Sequence, residues 1–471
     1  MLRSGAMVLV ANVVDVAAVL IRNIILARLL PVEQFGLAAT FSILMTMIET
    51  FQNVGLNRLV VQDARSDDPA FVGRLHGAQI AVGLVAAPLL AALAYPFALI
   101  MGTPGMTAAY LLLALVPLAN AFVNLETFRM QRQGRFGPQV LRSMLSQPVG
   151  LLAVFPAYWW LGDHRAALVA IIAQQSAAML LTHVNVRPIF RIAFDRAVMR
   201  AVAAFGWPLI VNGLLMFAIL NGDRIIVLHR FGPAALGWFS AVVMLTLTPA
   251  NLIVKSLQTI TLPALSRTAG EAGAFQRIYD GGSNATAVAA LAAVLGSLLF
   301  GHVVIALLFG SKFMPAAAFL APLACMNALR LLRAMPAIAA MAHGETRNPL
   351  YANLVRALGV PAAVAAAALT GTIEAMIVAG IAAEIAGAVA AGALAHQRAG
   401  ISGAHYNRLL LSLTLCVAAA LTIVWGSGYA WLLLVPLAVM LLLQCAARLD
   451  VSALPYTARL PSSLRRRSHR A

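Results

Sequence analysis

An internal repeat relates NIILARLLPVEQFGLAATFSI, at residues 23–43, to RIIVLHRFGPAALGWFSAVVM, at residues 224–244. At this offset of 201 residues Gly36 falls on Gly237, and both segments place a proline and a glycine between two apolar stretches. Similarity at a fixed offset is the sequence signature of a duplicated architecture. The two segments therefore predict related halves of the chain, each with a tight turn at the same place.

The composition is that of a membrane protein. Hydrophobic residues make up 62% of the 471 residues and charged residues 10%, whereas soluble domains average about 45–50% and about 25%. The mean hydropathy of +0.88 excludes soluble enzymes, disordered scaffolds, coiled coils and secreted disulfide-rich domains. The three cysteines lie inside apolar stretches, where a thiol behaves as a small hydrophobic group, so the sequence predicts neither a disulfide framework nor a metal site.

The hydrophobic pattern predicts an all-α, polytopic fold with about fourteen transmembrane helices, because a span needs about 20 mostly apolar residues. The stretches that meet this requirement are residues 6–27, 37–57, 77–100, 106–127, 143–161, 166–186, 203–228, 236–260, 285–309, 316–341, 351–370, 372–395, 409–426 and 428–447. Asp15 and Arg22 interrupt the first stretch, which we therefore interpret as an uncleaved span rather than a signal peptide.

The basic residues predict the orientation of the spans, because Lys and Arg near span ends are retained on the cytoplasmic side. With a cytoplasmic N-terminus, 23 of the 33 basic residues fall on that side, and only Arg28, Arg165, Arg230 and Lys312 fall on the other. An even number of spans then places both termini in the cytoplasm. Topology and attraction to anionic lipids explain the net charge of +17 without a nucleic-acid partner.

The repeat also predicts the domain organisation, since its two copies join spans 1 and 2 and spans 7 and 8. The two copies are six spans apart, and because six is even, both begin on the same side of the membrane. The sequence therefore predicts two six-helix lobes of the same orientation, related by an axis along the membrane normal. We predict a cavity between the lobes, lined by spans 1, 2, 7 and 8. The predicted parts are an N-terminal lobe at 1–200, a C-terminal lobe at 201–400, two additional spans at 401–448 and a basic cytoplasmic tail at 449–471.

The sequence contains no motif of hydrolytic chemistry. It has no G-x-x-x-x-G-K-[ST] phosphate loop, no H-E-x-x-H zinc motif and no nucleophile elbow. The predicted outer loops are too short to form an external catalytic domain. We therefore expect no enzymatic activity, no catalytic residue and no cofactor, and the remaining classes are a transporter, a channel or a structural membrane protein.

Two longer segments carry a family resemblance: ILARLLPVEQFGLAATFSILMTMIETFQNVGLNRLVVQ at 25–62 and GDRIIVLHRFGPAALGWFSAVVMLTLTPANLIVKSLQTITLPALSR at 222–267. Their R-L-L-x-x-x-x-F-G turn and their D-R followed by F-G-P-A-A-L-G resemble polysaccharide flippases of the multidrug, oligosaccharidyl-lipid and polysaccharide exporter superfamily. The resemblance implies a bacterial inner-membrane protein that moves a polyprenyl-pyrophosphate-linked oligosaccharide outward by alternating access. It implies a role in lipopolysaccharide or exopolysaccharide synthesis, alongside a polymerase and glycosyltransferases.

Ionisable residues inside spans are the candidate functional residues, because each costs at least about 2.5–3.5 kcal/mol unless it has a partner or faces water. Six basic residues are candidates for a cationic cavity that binds pyrophosphate: Arg22, Arg224, Lys255, Arg330, Arg333 and Arg356. The planar guanidinium suits this role, since it bonds phosphate oxygens in pairs and keeps its charge in an apolar site.

Structural explanations compete with this interpretation. The repeat sets Arg22 opposite Asp223, so some of the charges are equally well explained as ion pairs. Lys255 and Arg356 lie near cytoplasmic ends of spans, where snorkelling to the interface is the alternative. Arg330 and Arg333 have no acid in their own span, which favours a functional role for both.

Acidic residues in the spans suggest a second property. Asp15 lies where the resemblance implies an acid in proton-coupled multidrug exporters, so Asp15, Glu49 and Asp223 are candidates for coupling to a proton or sodium gradient, with salt-bridge formation as the alternative. Span 12 carries Glu374 and Glu384, and its run GIAAEIAGAVAAGALA from Gly380 has the small residues of a close helix-packing face.

Three functions remain open at this point. The first is a flippase for a lipid-linked glycan. The second is a cation-coupled exporter of drugs or metabolites, which is less favoured because such a cavity should be acidic rather than basic. The third is a membrane scaffold for a polysaccharide-synthesis complex, which predicts that removal of the charge of Arg330 or Arg333 leaves polymer output intact.

Overall fold

The structure of the chain is a computed structural model. It describes residues 2–52, 55–184, 186, 191–345, 347–426 and 428–447. For residues 2–13, 58, 62 and 64 it describes the backbone alone. The predicted basic tail at 449–471 lies outside the described residues.

The described part of the chain is helical, which confirms the all-α prediction. The first helices are α1 (Leu2–Leu29), α2 (Val32–Gln52), α3 (Leu56–Gln62), α4 (Pro69–Ile100), α5 (Thr107–Leu112), α6 (Leu115–Ala121), α7 (Glu126–Arg132), α8 (Gly137–Leu161) and α9 (Arg165–Leu181). They are followed by α10 (Arg196–Arg267), α11 (Ala272–Phe309), α12 (Ala317–Ala342), α13 (Arg347–Ala357), α14 (Gly359–Thr370), α15 (Ile373–Ala399), α16 (Ala404–Val424) and α17 (Trp431–Ala446).

The helices confirm the prediction of about fourteen spans. Among the described residues, 11 helical segments are long and apolar enough to cross a membrane. One of them, the 72-residue α10, contains two predicted spans, because Gly232 breaks it with φ 85° and ψ 178°, a conformation open to glycine alone. The other two predicted spans correspond to α1 and to α9, which has 17 residues.

The chain divides into two compact units. Unit 1 comprises Met1–Ala241 and Ile305–Pro315, and unit 2 comprises Val242–Val304 and Ala316–Ala471. These units follow spatial contacts, whereas the predicted lobes follow the sequence repeat. The lobe boundaries at residues 200 and 400 therefore stay a prediction.

Unit 2 is built around α12. This helix is buried along most of its length, and it packs against α15 and α16, while α15 also packs against α13 and α14. A helix with apolar residues on most of its faces is expected at the centre of a bundle. The buried position of α12 matters because it carries two of the predicted functional arginines.

In unit 1 the two repeat turns pack directly against each other. A Cβ atom added to Gly36 of α2 would lie 1.8 Å from the carbonyl oxygen of Pro233, and one added to Gly237 would lie 2.4 Å from that of Val32. Such distances allow no side chain, so the repeat pairs two glycines because two backbones cross there. We call Val32, Gly36, Pro233 and Gly237 the turn seal.

Two cations fasten the segment 305–315 beside the turn seal. Arg28 Nε donates to the carbonyl of Leu308 at 2.9 Å, and its Nη2 donates to that of Leu307. In the opposite direction, Lys312 Nζ donates to the backbone carbonyls of Arg28 at 2.9 Å and Leu30 at 2.5 Å. The backbone carbonyls left over at helix ends thus receive charged donors.

Candidate functional site

Three arginines and one glutamate meet in unit 2. Glu384 of α15 accepts a hydrogen bond from Arg330 of α12, with Nε 2.5 Å from Oε1. Arg356 of α13 binds the same carboxylate twice, with Nε 2.8 Å from Oε2 and Nη2 2.6 Å from Oε1. Arg333 of α12 lies farther away, with Nε 3.8 Å from Oε2. We call these four residues the arginine cluster.

The arginine cluster is buried. The exposed fractions of the side chains are 1% for Arg356 and 4% for Glu384, against 11% for Arg330 and 14% for Arg333. Two asparagines orient the guanidinium groups: Asn327 accepts from Arg330 at 3.1 Å and Asn353 accepts from Arg356 at 2.9 Å. Each arginine that binds Glu384 closely is therefore also held by a neutral acceptor on its own helix.

Arg333 is bound differently from the other two. Its Nε is buried and has no hydrogen-bond partner among the described residues. The separation of 3.8 Å from Glu384 exceeds a hydrogen bond and leaves only electrostatic attraction. Arg333 is thus the member of the cluster whose donors are least committed to the fold.

Helical spacing explains why these side chains converge. Asn327, Arg330 and Arg333 recur three residues apart on α12 and so share the face that packs on α15. Gly387 lies one turn beyond Glu384 on α15, and a Cβ atom there would be 2.2 Å from Arg356 Cγ. The small residues predicted as a packing face thus make room for a long charged side chain.

The substitution Gly387→Ala is expected to displace Arg356 and to lower the thermal stability of the protein, because the added methyl group overlaps the arginine stem. The loss should be about 1–3 kcal/mol, measured as a lower midpoint of thermal unfolding. Gly281→Ala is the matched control, since a Cβ atom there meets nothing within 4 Å. Equal unfolding midpoints for the two variants would contradict this account of the packing.

The arginine cluster carries more positive than negative charge. Three guanidinium groups face one carboxylate, and all four groups lie on helices that are apolar enough to span a membrane. Charges removed from water are costly unless they are paired, so the excess positive charge of this buried cluster favours an anion. The arrangement can bind phosphate oxygens through the planar guanidinium groups.

The structure corrects the snorkelling alternative for Arg356. Its side chain does not reach outward but is the most buried of the cluster and binds Glu384. Lys255, by contrast, is exposed on α10 and lies outside the cluster, so snorkelling stays open for that residue. Arg330 and Arg333 have no acid in their own span, but Glu384 of another helix is their counter-ion, and their role in substrate binding stays a prediction.

The remaining candidates lie in unit 1 and do not join the arginine cluster. Arg22 is buried and donates to Gln174 Oε1 of α9. Asp223 Oδ1 accepts from the backbone amide of Arg224 at 2.8 Å. The roles of Arg22, Arg224 and Asp223 in substrate binding or ion coupling therefore stay predictions.

Two acidic candidates lie close to a residue that the sequence analysis placed outside the spans. Arg142, within α8, attracts Asp15 electrostatically. Arg142 and Glu49 also line the same polar cavity of unit 1. Sequence reasoning missed Arg142 because its neighbours on the preceding loop are also basic, so it was counted as part of a cytoplasmic cluster.

The fold is that of known membrane transporters. A multidrug resistance MATE family transporter of the MOP superfamily in its inward-facing conformation has a TM-score of 0.69, with 15% identity over 82% of this chain and 94% of that chain. The lipid II flippase MurJ in an inward closed conformation also has a TM-score of 0.69, with 10% identity over 95% of this chain and 98% of that chain. An outward-facing MATE structure has a TM-score of 0.58, with 14% identity over 84% and 95%.

These identities are low, so the structural likeness establishes the fold alone. A search of curated proteins finds no match. The family model for "Polysaccharide biosynthesis protein" matches residues 25–318, which include both repeat turns and more than half of the chain. The resemblance seen at residues 25–62 and 222–267 is confirmed, and the chain is a multi-pass membrane protein that belongs to this polysaccharide biosynthesis family.

Proposed function

We propose that the chain is a flippase that moves a polyprenyl-pyrophosphate-linked oligosaccharide from the cytoplasmic to the outer face of the bacterial inner membrane by alternating access. The observation that carries this proposal is the uncompensated positive charge of the arginine cluster. Pyrophosphate is the anionic part of such a substrate, and its oxygens match the planar guanidinium donors. Arg333, with its uncommitted Nε, is the first candidate to contact it.

The predicted topology supports this assignment. In that prediction span 10 runs inward and span 11 begins at the cytoplasmic side, which would put Arg330 near the middle of the membrane and Arg333 and Arg356 in its cytoplasmic half. A substrate made in the cytoplasm would meet these charges first. The turn seal belongs to the outer side in the same orientation, and its close backbone packing suits a state closed to the outside.

The family and the fold also support transport of a glycan lipid. The family is named for polysaccharide biosynthesis, and the fold is shared by a lipid II flippase and by multidrug transporters. The fold does not distinguish an anionic from a cationic cargo. The excess of arginine in unit 2 favours the anionic one, with polymerase and glycosyltransferases as partners in the same process.

Deletion of the gene tests the proposal. We expect polyprenyl-linked oligosaccharide to accumulate on the cytoplasmic face and surface polymer to be lost. Wild-type protein should restore the polymer, whereas Arg333→Gln should restore less than about a tenth of it, since loss of one charged hydrogen bond costs about 1.5–3 kcal/mol. Arg277→Gln, which changes an exposed arginine of α11 in the same unit, should restore it fully.

Other results would reject the flippase or the role of the arginine cluster in it. Unchanged glycan output together with new drug sensitivity would favour a cation-coupled exporter that uses Asp15 and Glu49. Arg333→Gln could restore the polymer fully while the glycan lipid is still trapped in the deletion strain. That result would keep the flippase but would show that transport does not need the charge of Arg333. Loss of polymer without any trapped lipid intermediate would favour a scaffold.

A further inference from the structure

Unit 1 contains a polar cavity of about 330 Å³ among helices α2, α3, α4, α6, α8 and α9. Its wall includes the side-chain amides of Gln52, Asn57, Gln79, Asn120 and Gln175. Most of these helices are apolar enough to span a membrane. We call this space the amide cavity.

Part of the wall is fixed by internal hydrogen bonds. Gln79 Nε2 donates to the backbone carbonyls of Asn120, Ala121 and Val123 at 2.8, 3.1 and 2.8 Å. Asn120 Nδ2 in turn donates to Gln52 Oε1 at 2.8 Å. These bonds satisfy the end of α6 and set the orientation of three amides before any ligand arrives.

Among the described residues, two further amides of the wall are not held by internal hydrogen bonds. No hydrogen bond within the described residues engages the side chains of Gln175 or Asn57. Glu49 and Arg142 line the same space. Gln175 is half-buried and Asn57 is exposed, so both amides are accessible to water or to a ligand with many hydrogen-bonding groups.

The mixture of groups selects the chemistry of that ligand. Amides both donate and accept, Glu49 accepts and Arg142 donates. A hydrocarbon chain would offer these groups no hydrogen bond, and an isolated phosphate would face the carboxylate of Glu49. Described residues hold no group of three or more metal-ligating side chains. Hydroxyl groups, which donate and accept at once, match the wall best.

The geometry points to the amide cavity as the subsite for a sugar ring of the lipid-linked glycan. This inference rests on the proposed function and adds that unit 1 binds a sugar of the substrate. The volume is at the lower end of ligand pockets, which span about 300–1,000 Å³, so it suits one or two sugar rings rather than a whole oligosaccharide.

The test uses the full-length protein in lipid nanodiscs with a reporter thiol at the cavity wall. Val82→Cys places that thiol among the lining residues, and the native Cys325, Cys416 and Cys445 are buried. We expect polyprenyl-linked oligosaccharide, purified from the deletion strain, to slow maleimide labelling of the reporter. Polyprenyl pyrophosphate without sugar should leave the labelling rate unchanged.

A matched pair of amide variants tests the wall itself. Gln175→Ala should raise the concentration of glycan lipid needed for half-protection about tenfold, as expected for one or two lost hydrogen bonds. Gln133→Ala, at an exposed amide outside the cavity, should leave it unchanged. Native mass spectrometry of both lipids on the chain without the reporter checks the preference independently of Val82→Cys.

Three outcomes would overturn the sugar subsite while the flippase stands. The first is equal protection of the reporter thiol by both lipids, and the second is the absence of any effect of Gln175→Ala. The third is that sodium chloride slows labelling of the reporter more than choline chloride does, and that glycan lipid slows it no further. The flippase fails separately, when the deletion strain accumulates no glycan lipid. In that case sugar-dependent protection by a glycan lipid from another strain would still support the subsite as a sugar-binding cavity.

Discussion

The substitution Glu384→Gln is expected to destabilise the protein so strongly that most of the folded protein is lost from the membrane fraction. The carboxylate is bound by Arg330 and Arg356 and attracts Arg333, all within a buried cluster. Its loss leaves three positive charges facing one another with no counter-ion. Removal of one partner from a buried ion pair costs about 3–5 kcal/mol, which is a large part of the about 5–15 kcal/mol that keeps a protein folded.

The measurement is the yield of monodisperse protein in detergent, together with its thermal unfolding midpoint. Two variants separate charge imbalance from the mere loss of a carboxylate. The double substitution Arg330→Gln with Glu384→Gln removes one charge of each sign and should recover much of the stability. Arg333→Gln should unfold at the wild-type temperature, because Arg333 makes no hydrogen bond to Glu384.

A Glu384→Gln protein as stable as wild type would contradict this account. So would a double variant less stable than the single one, since that order would make the hydrogen bonds of Arg330 more important than charge balance. The contrast between Glu384 and Arg333 is informative in itself. One side chain holds the cluster together, and the other adds a charge that the fold does not need.

The sequence predicted the fold because the relevant signals are local. Hydrophobic stretches of span length identify membrane helices without knowledge of their neighbours. The turn at Gly232 was predictable for the same reason, since a proline and a glycine interrupt the apolar pattern there. The repeat matched Gly36 with Gly237, but it did not predict that the two turns pack against each other in the turn seal.

The candidate site was only partly predictable. Arg330 and Arg333 were identified because charges inside spans are rare. Their partner Glu384 lies on a different helix, and sequence spacing does not reveal which helices pack together. Arg356 was interpreted through its distance from a predicted span end, which says nothing about the side facing α15. Glutamines and asparagines such as Gln175 carry no charge, so the amide cavity emerged only when the helices were assembled.

The substitution Gly36→Ala is expected to open the turn seal and to abolish surface polymer. A Cβ atom at Gly36 would overlap the carbonyl oxygen of Pro233, so α2 and the segment that begins at Pro233 must move apart. The same reasoning predicts a similar defect for Gly237→Ala, whose Cβ atom would approach the carbonyl of Val32. In an alternating-access cycle, a loosened seal shifts the population toward the outward-open state.

Labelling of whole cells with a membrane-impermeant maleimide measures this shift. Ala27→Cys supplies the reporter, since Ala27 is fully buried at the end of α1 nearest the turn. In the Gly36→Ala background the labelling rate should rise by about tenfold or more, which corresponds to a change of about 1.4 kcal/mol in the equilibrium. Gly105→Ala is the matched control, because a Cβ atom there meets nothing within 4 Å.

The two readouts together distinguish a broken gate from a broken fold. A misfolded protein would also give a lower yield of protein in detergent. An opened seal should instead leave that yield near the wild-type value and change only the labelling of the reporter thiol of Ala27→Cys. Slow labelling with normal polymer in Gly36→Ala would mean that the crossing of the repeat turns is not part of the cycle. Fast labelling without polymer would show that closure at the paired glycines is required for transport, and would explain why the repeat keeps both positions free of a side chain.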